Sequence, residues 1–314
     1  MNYSVDVVIP VYNGAQYILQ ALSSVMGQDC PPKNIIVVDD GSTDTTSDLV
    51  MNLVSPIPVR YVYQENGGLS SARNTGIRLC TSEYIAFLDA DDEWYPHKLS
   101  SQLELFRKSD RENLGAVYCG YEVIDEESRI SDEHFIVEPD PLNRGYIFDR
   151  LLEANSISSS GSGILLKSEC LLRVGTFDEK LKACEDWDMW LRIAAHYEFD
   201  YVPESLVRIR RHSHNMQKCS NFMYSNILVF YDKWSDAALR HGCDSAWSKA
   251  IVNKILWDLP DLRSFYLARN LLSREAKDHL FHGAFDSLLR FLLSHAPAIV
   301  IIGAKRLLRW EDRA

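Results

Sequence analysis

Short apolar segments alternate with helical segments through about the first ninety residues, and this alternation constrains the fold more than any other feature of the chain. Predicted strands, rich in β-branched and aromatic residues, cover residues 5–11, 35–38, 59–63 and 85–88. Apolar residues at helical spacing follow each of the first three strands. Strands that alternate with helices in this way predict an α/β fold, with a mostly parallel sheet and helices on both faces.

Polar, glycine-rich loops follow these strands, beginning with Asn13-Gly14, Asp39-Asp40-Gly41 and Gly67-Gly68. Open α/β sheets bind ligands outside the carboxyl ends of their strands, which is where these loops lie. The layout is typical of a nucleotide site. It lacks both the G-x-G-x-x-G and the G-x-x-x-x-G-K-[ST] phosphate loops.

Three carboxylates, Asp89, Asp91 and Asp92, directly follow the fourth strand. Crowding like charges in a partly desolvated place is costly unless a cation occupies it. The turn therefore predicts a divalent-metal site that holds a phosphorylated substrate. The alternative is an acidic loop that precedes the next helix, which Pro96 begins.

Two further sets of polar residues lie at the same predicted edge. The Ser-Thr-Asp segment at 42–44 is expected to cap the following helix, which leaves Asp39 and Asp40 available for a ligand. Asp40 would accept from a nucleobase ring N–H; otherwise it caps the helix. Arg73 and Asn74 are donors near a helix start and suit phosphate oxygens, with a surface ion pair as the alternative for Arg73.

Composition limits the kinds of partner that the chain is expected to bind and the compartment in which it is expected to lie. The net charge of −11 argues against nucleic acid as the main partner. The seven cysteines are scattered without a C-x-x-C pair, which fits reduced thiols in a cytoplasmic protein and argues against a zinc site. The first residues have no secretory pattern, and no apolar run reaches the roughly 18 residues of a transmembrane helix.

Several motifs together resemble the inverting family-two glycosyltransferases, which have the GT-A fold. They are "VVIPVYNGAQYI", "IIVVDDGSTDTT", "QENGGLSSARNTGI", "IAFLDADDEW" and "SGSGILLKSECLLRVGTFDEKLKACEDWDMWLRIA". The resemblance implies a GT-A domain over residues 1–218, with a donor half at about 1–112 and an acceptor half at about 113–218. A helical region over 219–314 follows it.

For the donor, the resemblance implies a nucleoside-diphosphate sugar, with a UDP-sugar favoured, and a bound Mg²⁺ or Mn²⁺. Pro10, Tyr12 and Asp40 match the residues that hold the base and ribose, and Arg73 lies on the phosphate side.

The metal ligands also follow from the resemblance. Asp89 and Asp91 match the D-x-D pair, with Asp91 as the more direct ligand and Asp92 able to substitute in either role. His212 matches a histidine that completes the metal site or touches the diphosphate. The arginines at 210–211 would offer bidentate contact to phosphate. A basic surface strand is the alternative for this segment.

Glu185-Asp186-Trp187 begins a predicted helix, where the helix dipole stabilises a carboxylate whatever its function. The resemblance implies that Asp186 is the catalytic base, which takes the proton of an acceptor hydroxyl. Trp187 would lie against a sugar or in the core.

The Ser/Gly loop at 158–163 lets a substrate approach the backbone closely, or is a plain connection. A cytoplasmic enzyme with a basic, apolar segment at 291–314 suggests a glycan or lipid-linked glycan as the acceptor, in surface polysaccharide assembly.

Residues 221–314 match no motif, and their apolar spacing predicts several packed helices. Within them, Phe291–Ala304 is strongly apolar and flanked by basic residues, yet too short to span a bilayer. The segment predicts a peripheral membrane anchor, with a buried helix or a homodimer interface as the alternative.

Two rival functions are a nucleotidyltransferase, which would want a basic glycine-rich loop near residue 12, and a non-catalytic nucleotide-sugar-binding module.

Overall fold

The computed structural model describes residues 3–130, 136–157, 161–212 and 220–258. The chain splits into two compact units, one of Met1–Leu151 with Asn155–Asn215 and the other of Leu152–Ala154 with Met216–Ala314. All of the predicted site residues belong to the first unit.

One mixed sheet organises the first unit, with the strand order β3-β2-β1-β4-β8-β6-β9-β5 and β7 paired to β6. Its strands are β1 Val5–Val11, β2 Asn34–Asp39, β3 Val59–Tyr63, β4 Tyr84–Phe87, β5 Glu93–Trp94, β6 Leu114–Ile124, β7 Ile136–Val137, β8 Leu165–Lys167 and β9 Glu198–Arg210.

The first four predicted strands form the parallel part of this sheet. β3, β2, β1 and β4 are neighbours, and all three pairings are parallel. Every residue of β1 is buried, as expected of a strand that is covered on both faces. The carboxyl ends of these strands meet at one edge, as the alternation predicts.

The second half of the sheet is mixed. β8 runs antiparallel to both β4 and β6, β6 is parallel to β9, and β5 is antiparallel to β9. β9 also continues well beyond the predicted strand at 199–202. Its pairing with β6 shifts register after Val202, so that Pro203 and Glu204 are accommodated in an irregularity. Proline therefore marks a bulge here rather than a strand end.

Seven helices of the described chain accompany the sheet. They are α1 Ile18–Met26, α2 Thr46–Met51, α3 Leu69–Leu79, α4 Lys98–Lys108, α5 Phe148–Glu153, α6 Ser168–Val174 and α7 Glu185–Ala194. α1 shows why the apolar spacing works: Ile18, Ala21, Leu22 and Val25 are all buried, on one face of the helix.

Besides Leu152–Ala154, the described part of the second unit contains α8 Ser220–Arg240 and α9 Asp244–Asp258. Trp247 is buried between the two helices, with its ring 5.2 Å from that of Phe230 and stacked 6.2 Å from that of Tyr231. The predicted anchor at Phe291–Ala304 lies outside the described residues. Within them, no helix has the length and apolarity needed to cross a membrane.

Candidate active site

The acidic turn after β4 is compact. Asp92 N–H donates to Asp89 O at 3.0 Å. The side chains of Asp89 and Asp91 are 24% and 32% exposed, whereas Asp92 is buried. Burial, followed by the charge of Asp89, raises the pKa of Asp91. Burial and then the charges of Asp91 and Asp89 raise the pKa of Asp92 well above its usual value. The turn therefore concentrates negative charge, as the sequence predicts.

Ser162 supports this turn from the loop before β8. Its Oγ donates to Asp92 Oδ2 at 2.7 Å and accepts from Asp89 N–H at 3.1 Å. Its carbonyl accepts from Trp94 Nε1 at 2.8 Å. The sequence pointed to the Ser/Gly loop but not to this supporting role, because composition does not show which strand end a loop meets.

Arg210, at the end of β9, joins the acidic turn to the loop after β6. Its guanidinium donates to Asp91 O, to the carbonyls of Asp125 and Glu126, to Glu93 Oε1 and to Ser128 Oγ, at 2.5–3.2 Å. Five donors are thus used within the protein, and the side chain is fully buried. The expectation of bidentate phosphate contact is wrong for Arg210, because tertiary contacts consume its hydrogens. Arg211 is exposed.

His212 lies beside the acidic turn. Its Nε2 is 2.9 Å from Asp91 Oδ2. The Tyr17 ring packs against the imidazole, with centroids 5.2 Å apart, and also lies 4.6 Å from the Arg210 guanidinium. Tyr17 is a site residue that sequence reasoning missed.

The carboxylate oxygens and imidazole nitrogen at this turn suit a hard divalent cation that takes only some of its ligands from the protein. Across the described residues, no three His, Cys, Asp or Glu side chains are arranged as a metal site. Asp91 and His212 are adjacent, and Asp89 Oδ2 receives no hydrogen bond from the described residues. Mg²⁺ in particular commonly takes one or two carboxylates and completes its shell with phosphates and water. The residues therefore fit a metal that binds together with a diphosphate.

The loops after β1 and β2 are joined to each other. Asn13 adopts a left-handed backbone with φ +50°, its N–H donates to Ser42 Oγ, and its Oδ1 accepts from Thr43 N–H, both at 2.8 Å. Pro10 lies buried in β1, while the Tyr12 side chain is 56% exposed beside this loop.

Asp40 is buried, and its carboxylate holds the loop after β3. Oδ1 accepts from Gln64 Nε2 and Gly67 N–H, and Oδ2 accepts from Gly68 N–H, at 2.7–2.9 Å. Asp39 accepts from Ser42 N–H and the Tyr61 hydroxyl. Both carboxylates therefore already accept hydrogen bonds from protein groups, and a role for Asp39 or Asp40 in ligand binding stays a prediction.

The N-cap residue of α2 is Thr45, which forms no side-chain capping hydrogen bond, so the predicted cap at 42–44 lies just before the true position. Asp44 Oδ1 accepts from both the N–H and the hydroxyl of Thr46, the first residue of α2.

Arg73, on α3, is fully buried between two carboxylates. Its Nη2 donates to Asp89 Oδ1 at 2.8 Å, and its Nη1 donates to Glu185 Oε1 at 3.0 Å. Burial by itself would lower the pKa of Arg73, but Asp89 and Glu185 outweigh that effect and raise it. The surface ion pair is excluded. Asn74, the other expected phosphate donor, instead exchanges hydrogen bonds with the Phe177 backbone.

α7 begins with the predicted carboxylate pair. Glu185 is buried, Asp186 is half-buried, and Asp186 Oδ1 accepts from Trp187 N–H at 2.7 Å. Burial and then the charge of Asp186 raise the pKa of Glu185, while Arg73 opposes the shift. Trp187 is 1% exposed and donates to Leu151 O, so it is a core residue rather than a sugar platform.

The chain was compared with known proteins. The profile described as "Glycosyl transferase family 2" matches residues 6–167, about half of the chain. An uncharacterized glycosyltransferase of Rickettsia prowazekii is 34% identical over 232 residues, covering 74% of this chain and 70% of the relative. This chain belongs to glycosyltransferase family 2. It is thus an enzyme of the glycosyltransferase class.

Other relatives of this family-two glycosyltransferase are longer. The chain spans 64% of a Rickettsia typhi glycosyltransferase to which it is 37% identical over 212 residues. It spans 27% of the chondroitin synthase of Escherichia coli, with 29% identity over 202 residues that cover 63% of this chain.

Solved structures confirm the GT-A fold of this family-two enzyme. TarS of S. aureus in complex with UDP-GlcNAc matches with a TM-score of 0.66 and 17% identity, covering 91% of this chain and 83% of TarS. The mannosyltransferase PcManGT of Pyrobaculum calidifontis, in complex with GDP-Man and Mn²⁺, matches with a TM-score of 0.57 and 21% identity, covering 97% and 79%.

Proposed function

We propose that this family-two enzyme performs an inverting transfer of a sugar from a nucleoside-diphosphate sugar, with a UDP-sugar favoured, to an acceptor hydroxyl. One observation carries the proposal. Two carboxylate sets, at the end of β4 and at the start of α7, lie on either side of one buried guanidinium, that of Arg73. An inverting transfer needs such a division, with one set at the leaving group and one at the attacking hydroxyl.

Asp186 is the proposed base. It is the half-buried member of its pair, whereas Glu185 is buried and ion-paired with Arg73. A base must reach the acceptor, which favours the more exposed carboxylate. No second carboxylate is required as a nucleophile, because a diphosphate already leaves from the anomeric carbon.

Asp91 and His212, with Asp89, are the proposed ligands of Mg²⁺ or Mn²⁺. The 2.9 Å distance between Asp91 Oδ2 and His212 Nε2 supports this assignment. When bound, the cation neutralises the charge of the departing diphosphate. The chain's own contribution is to hold this turn rigid through Ser162 and Arg210.

Nucleotide recognition is assigned to Pro10, Tyr12 and Asp40. The exposed Tyr12 ring supports this assignment, since an aromatic face can pack on a base. Asp40 would act partly through the Gly67-Gly68 backbone that it holds. Arg73 would act on the phosphate side only through Asp89, because its guanidinium is buried.

The acceptor is proposed to be a glycan or a lipid-linked glycan in surface polysaccharide assembly. The similarity to chondroitin synthase supports a polysaccharide role. We further propose a cytoplasmic enzyme with a catalytic domain at 1–218, and a helical region at 219–314 that contacts the membrane peripherally or forms a homodimer.

Thermal shift with UDP-GlcNAc, GDP-mannose and related nucleotide sugars plus MnCl₂ tests the donor, since a ligand of the native state raises its stability.

With the donor that binds, Asp186→Asn should keep donor binding and lose turnover by about 10²–10⁴-fold. Asp91→Ala should lose the Mn²⁺-dependent part of donor binding. Asp48→Asn, a surface carboxylate of α2, is the control. Wild-type turnover in Asp186→Asn would remove that residue from the base role.

A further inference from the structure

Within the described residues, Arg73 forms ion pairs with both carboxylate-bearing segments of the candidate site. Its partners are distant in sequence: Asp89 is 16 positions away and Glu185 is 112 positions away. A guanidinium presents several donors in a rigid plane, so it can hold two carboxylates at fixed separation, which the single ammonium of lysine cannot do.

The surroundings of Arg73 leave its guanidinium little freedom. It lies 5.2 Å from the centre of the Phe177 ring. On another side, a Cβ at Gly161 would lie 3.0 Å from Arg73 Nη2, so glycine leaves the space that the guanidinium fills.

α3 itself is tied to the segment that leads into α7. Ser70 donates to Leu181 O at 3.3 Å, Asn74 donates to Phe177 O at 2.9 Å, and Lys182 Nζ donates to Gly67 O at 2.8 Å. The segment 177–185 therefore lies along α3 and the loop before it, and Arg73–Glu185 is the last of these contacts before the proposed base.

The entry into α7 has a defined backbone. Cys184 adopts the left-handed region with φ 59°, a conformation that a residue with a Cβ keeps only when its surroundings impose it. Glu185 follows directly, and its ion pair with Arg73 fixes the first turn. Asp186, one residue later in the same turn, is half-buried.

We propose that Arg73 and Glu185 are positioning residues: the Arg73–Glu185 ion pair sets the first turn of α7, and so the position of Asp186, relative to the Asp89 turn. This inference rests on the proposed function of Asp186 as the base. In this role Glu185 accepts no proton from the substrate. It acts through the guanidinium that it shares with Asp89.

A double-mutant cycle tests the proposal, with Arg73→Lys, Glu185→Gln and the double variant. The readout is hydrolysis of UDP-GlcNAc or GDP-mannose with MnCl₂ and no acceptor, for whichever the wild type turns over. Glu185→Gln should lower kcat about 10- to 100-fold with little change in the donor KM, because only the base is displaced. Arg73→Lys should lower kcat at least as far and also raise the donor KM, because it disturbs Asp89 as well. The double variant should have the kcat of Arg73→Lys alone.

Arg78→Lys is the matched control, because it makes the same change at an exposed position of α3 and should leave kcat unchanged. Thermal melting and far-UV circular dichroism report folding separately. The positioning role would be overturned if Glu185→Gln had an unchanged kcat and only a lower Tm. It would also be overturned if the effects of Arg73→Lys and Glu185→Gln on kcat were additive. Complete inactivity of Glu185→Gln beside a nearly normal Arg73→Lys would likewise overturn it, and would make Glu185 the base. If the wild type neither hydrolyses these donors nor transfers their sugars, the result counts against the proposed function first. There would then be no reaction in which the Arg73–Glu185 pair could position a base.

Discussion

Lys98 shows how far burial can lower the pKa of a lysine side chain. It is fully buried in α4, where its Nζ donates to Gln102 Oε1 at 2.9 Å and lies 4.0 Å from the centre of the Trp94 ring. Burial lowers the pKa of Lys98 to about 8. Its pKa in an unfolded chain is about 10.4.

This difference predicts a pH dependence of stability. Between about pH 8 and pH 10.4 the unfolded chain holds the Lys98 proton and the native chain does not, so the free energy of unfolding rises with pH by roughly 3 kcal/mol in total. Lys98→Met lacks this rise. Urea denaturation of both proteins at pH 7–10 measures it as a growing difference in favour of the wild type.

Titrating groups cancel in that comparison except the Cys119 thiol, whose charge interacts with Lys98. The surface variant Lys108→Met on the same helix serves as the control. Parallel pH profiles for wild type and Lys98→Met would contradict the shifted pKa.

Ser162 is the residue on which the buried end of the acidic turn most depends. Within the part of the chain that the structure describes, its hydroxyl is one of two donors to the Asp92 carboxylate, the other being Arg210 N–H. Ser162→Ala should cost about 1–3 kcal/mol of unfolding free energy, because it removes a hydrogen bond to a buried carboxylate. Denaturant titration measures this, with Ser100→Ala at the surface of α4 as the control, expected within about 0.5 kcal/mol of wild type. Equal losses in the two variants would refute it.

At the scale of elements, the close approach of α3 to β1 brings Arg73 to the sheet edge. A Cβ added at Gly76 would lie 2.2 Å from Val8 Cγ1. The helix can therefore lie this near the strand only because residue 76 has no side chain.

Gly76→Ala should destabilise the protein by about 1–3 kcal/mol through overpacking, despite the better helix propensity of alanine. Val8→Ala should be destabilising by itself, because it leaves a cavity. The double variant should lose less than the sum of the two, since the new methyl group enters the space that Val8 vacates. Chemical denaturation of the four proteins gives the interaction energy. Strict additivity would show that α3 does not press on Val8.

Elements differ in how readily the sequence predicts them. β1 and β3 have the predicted bounds, and β2 and β4 are close to theirs. β1, β2 and β4 are almost continuous apolar runs, which report burial directly. The antiparallel placement of β8 was not predictable, since strand direction depends on pairing partners. β9 was predicted too short, because a bulge absorbs Pro203.

At the scale of the whole molecule, the tail at 291–314 remains a prediction from sequence. Its apolar segment with flanking basic residues favours binding to an anionic membrane surface. Removing residues 291–314 should release the enzyme from the membrane fraction. A full-length variant with Lys305, Arg306 and Arg309 changed to Gln should bind anionic vesicles more weakly at low salt. If the truncated protein still sediments with membranes, the anchor is excluded.

The sequence by itself determined the family, the parallel half of the sheet, the acidic turn and the two carboxylate sets, because periodicity and short motifs are local properties of the chain. Tertiary structure alone decided how these groups are used. Arg73 and Arg210 read as exposed phosphate donors, yet both are buried and bonded to protein. Asp40 holds a loop, and Trp187 is core. The physical reason is that a polar side chain's partners come from segments up to about a hundred residues away, and only the folded chain brings those segments into hydrogen-bonding distance.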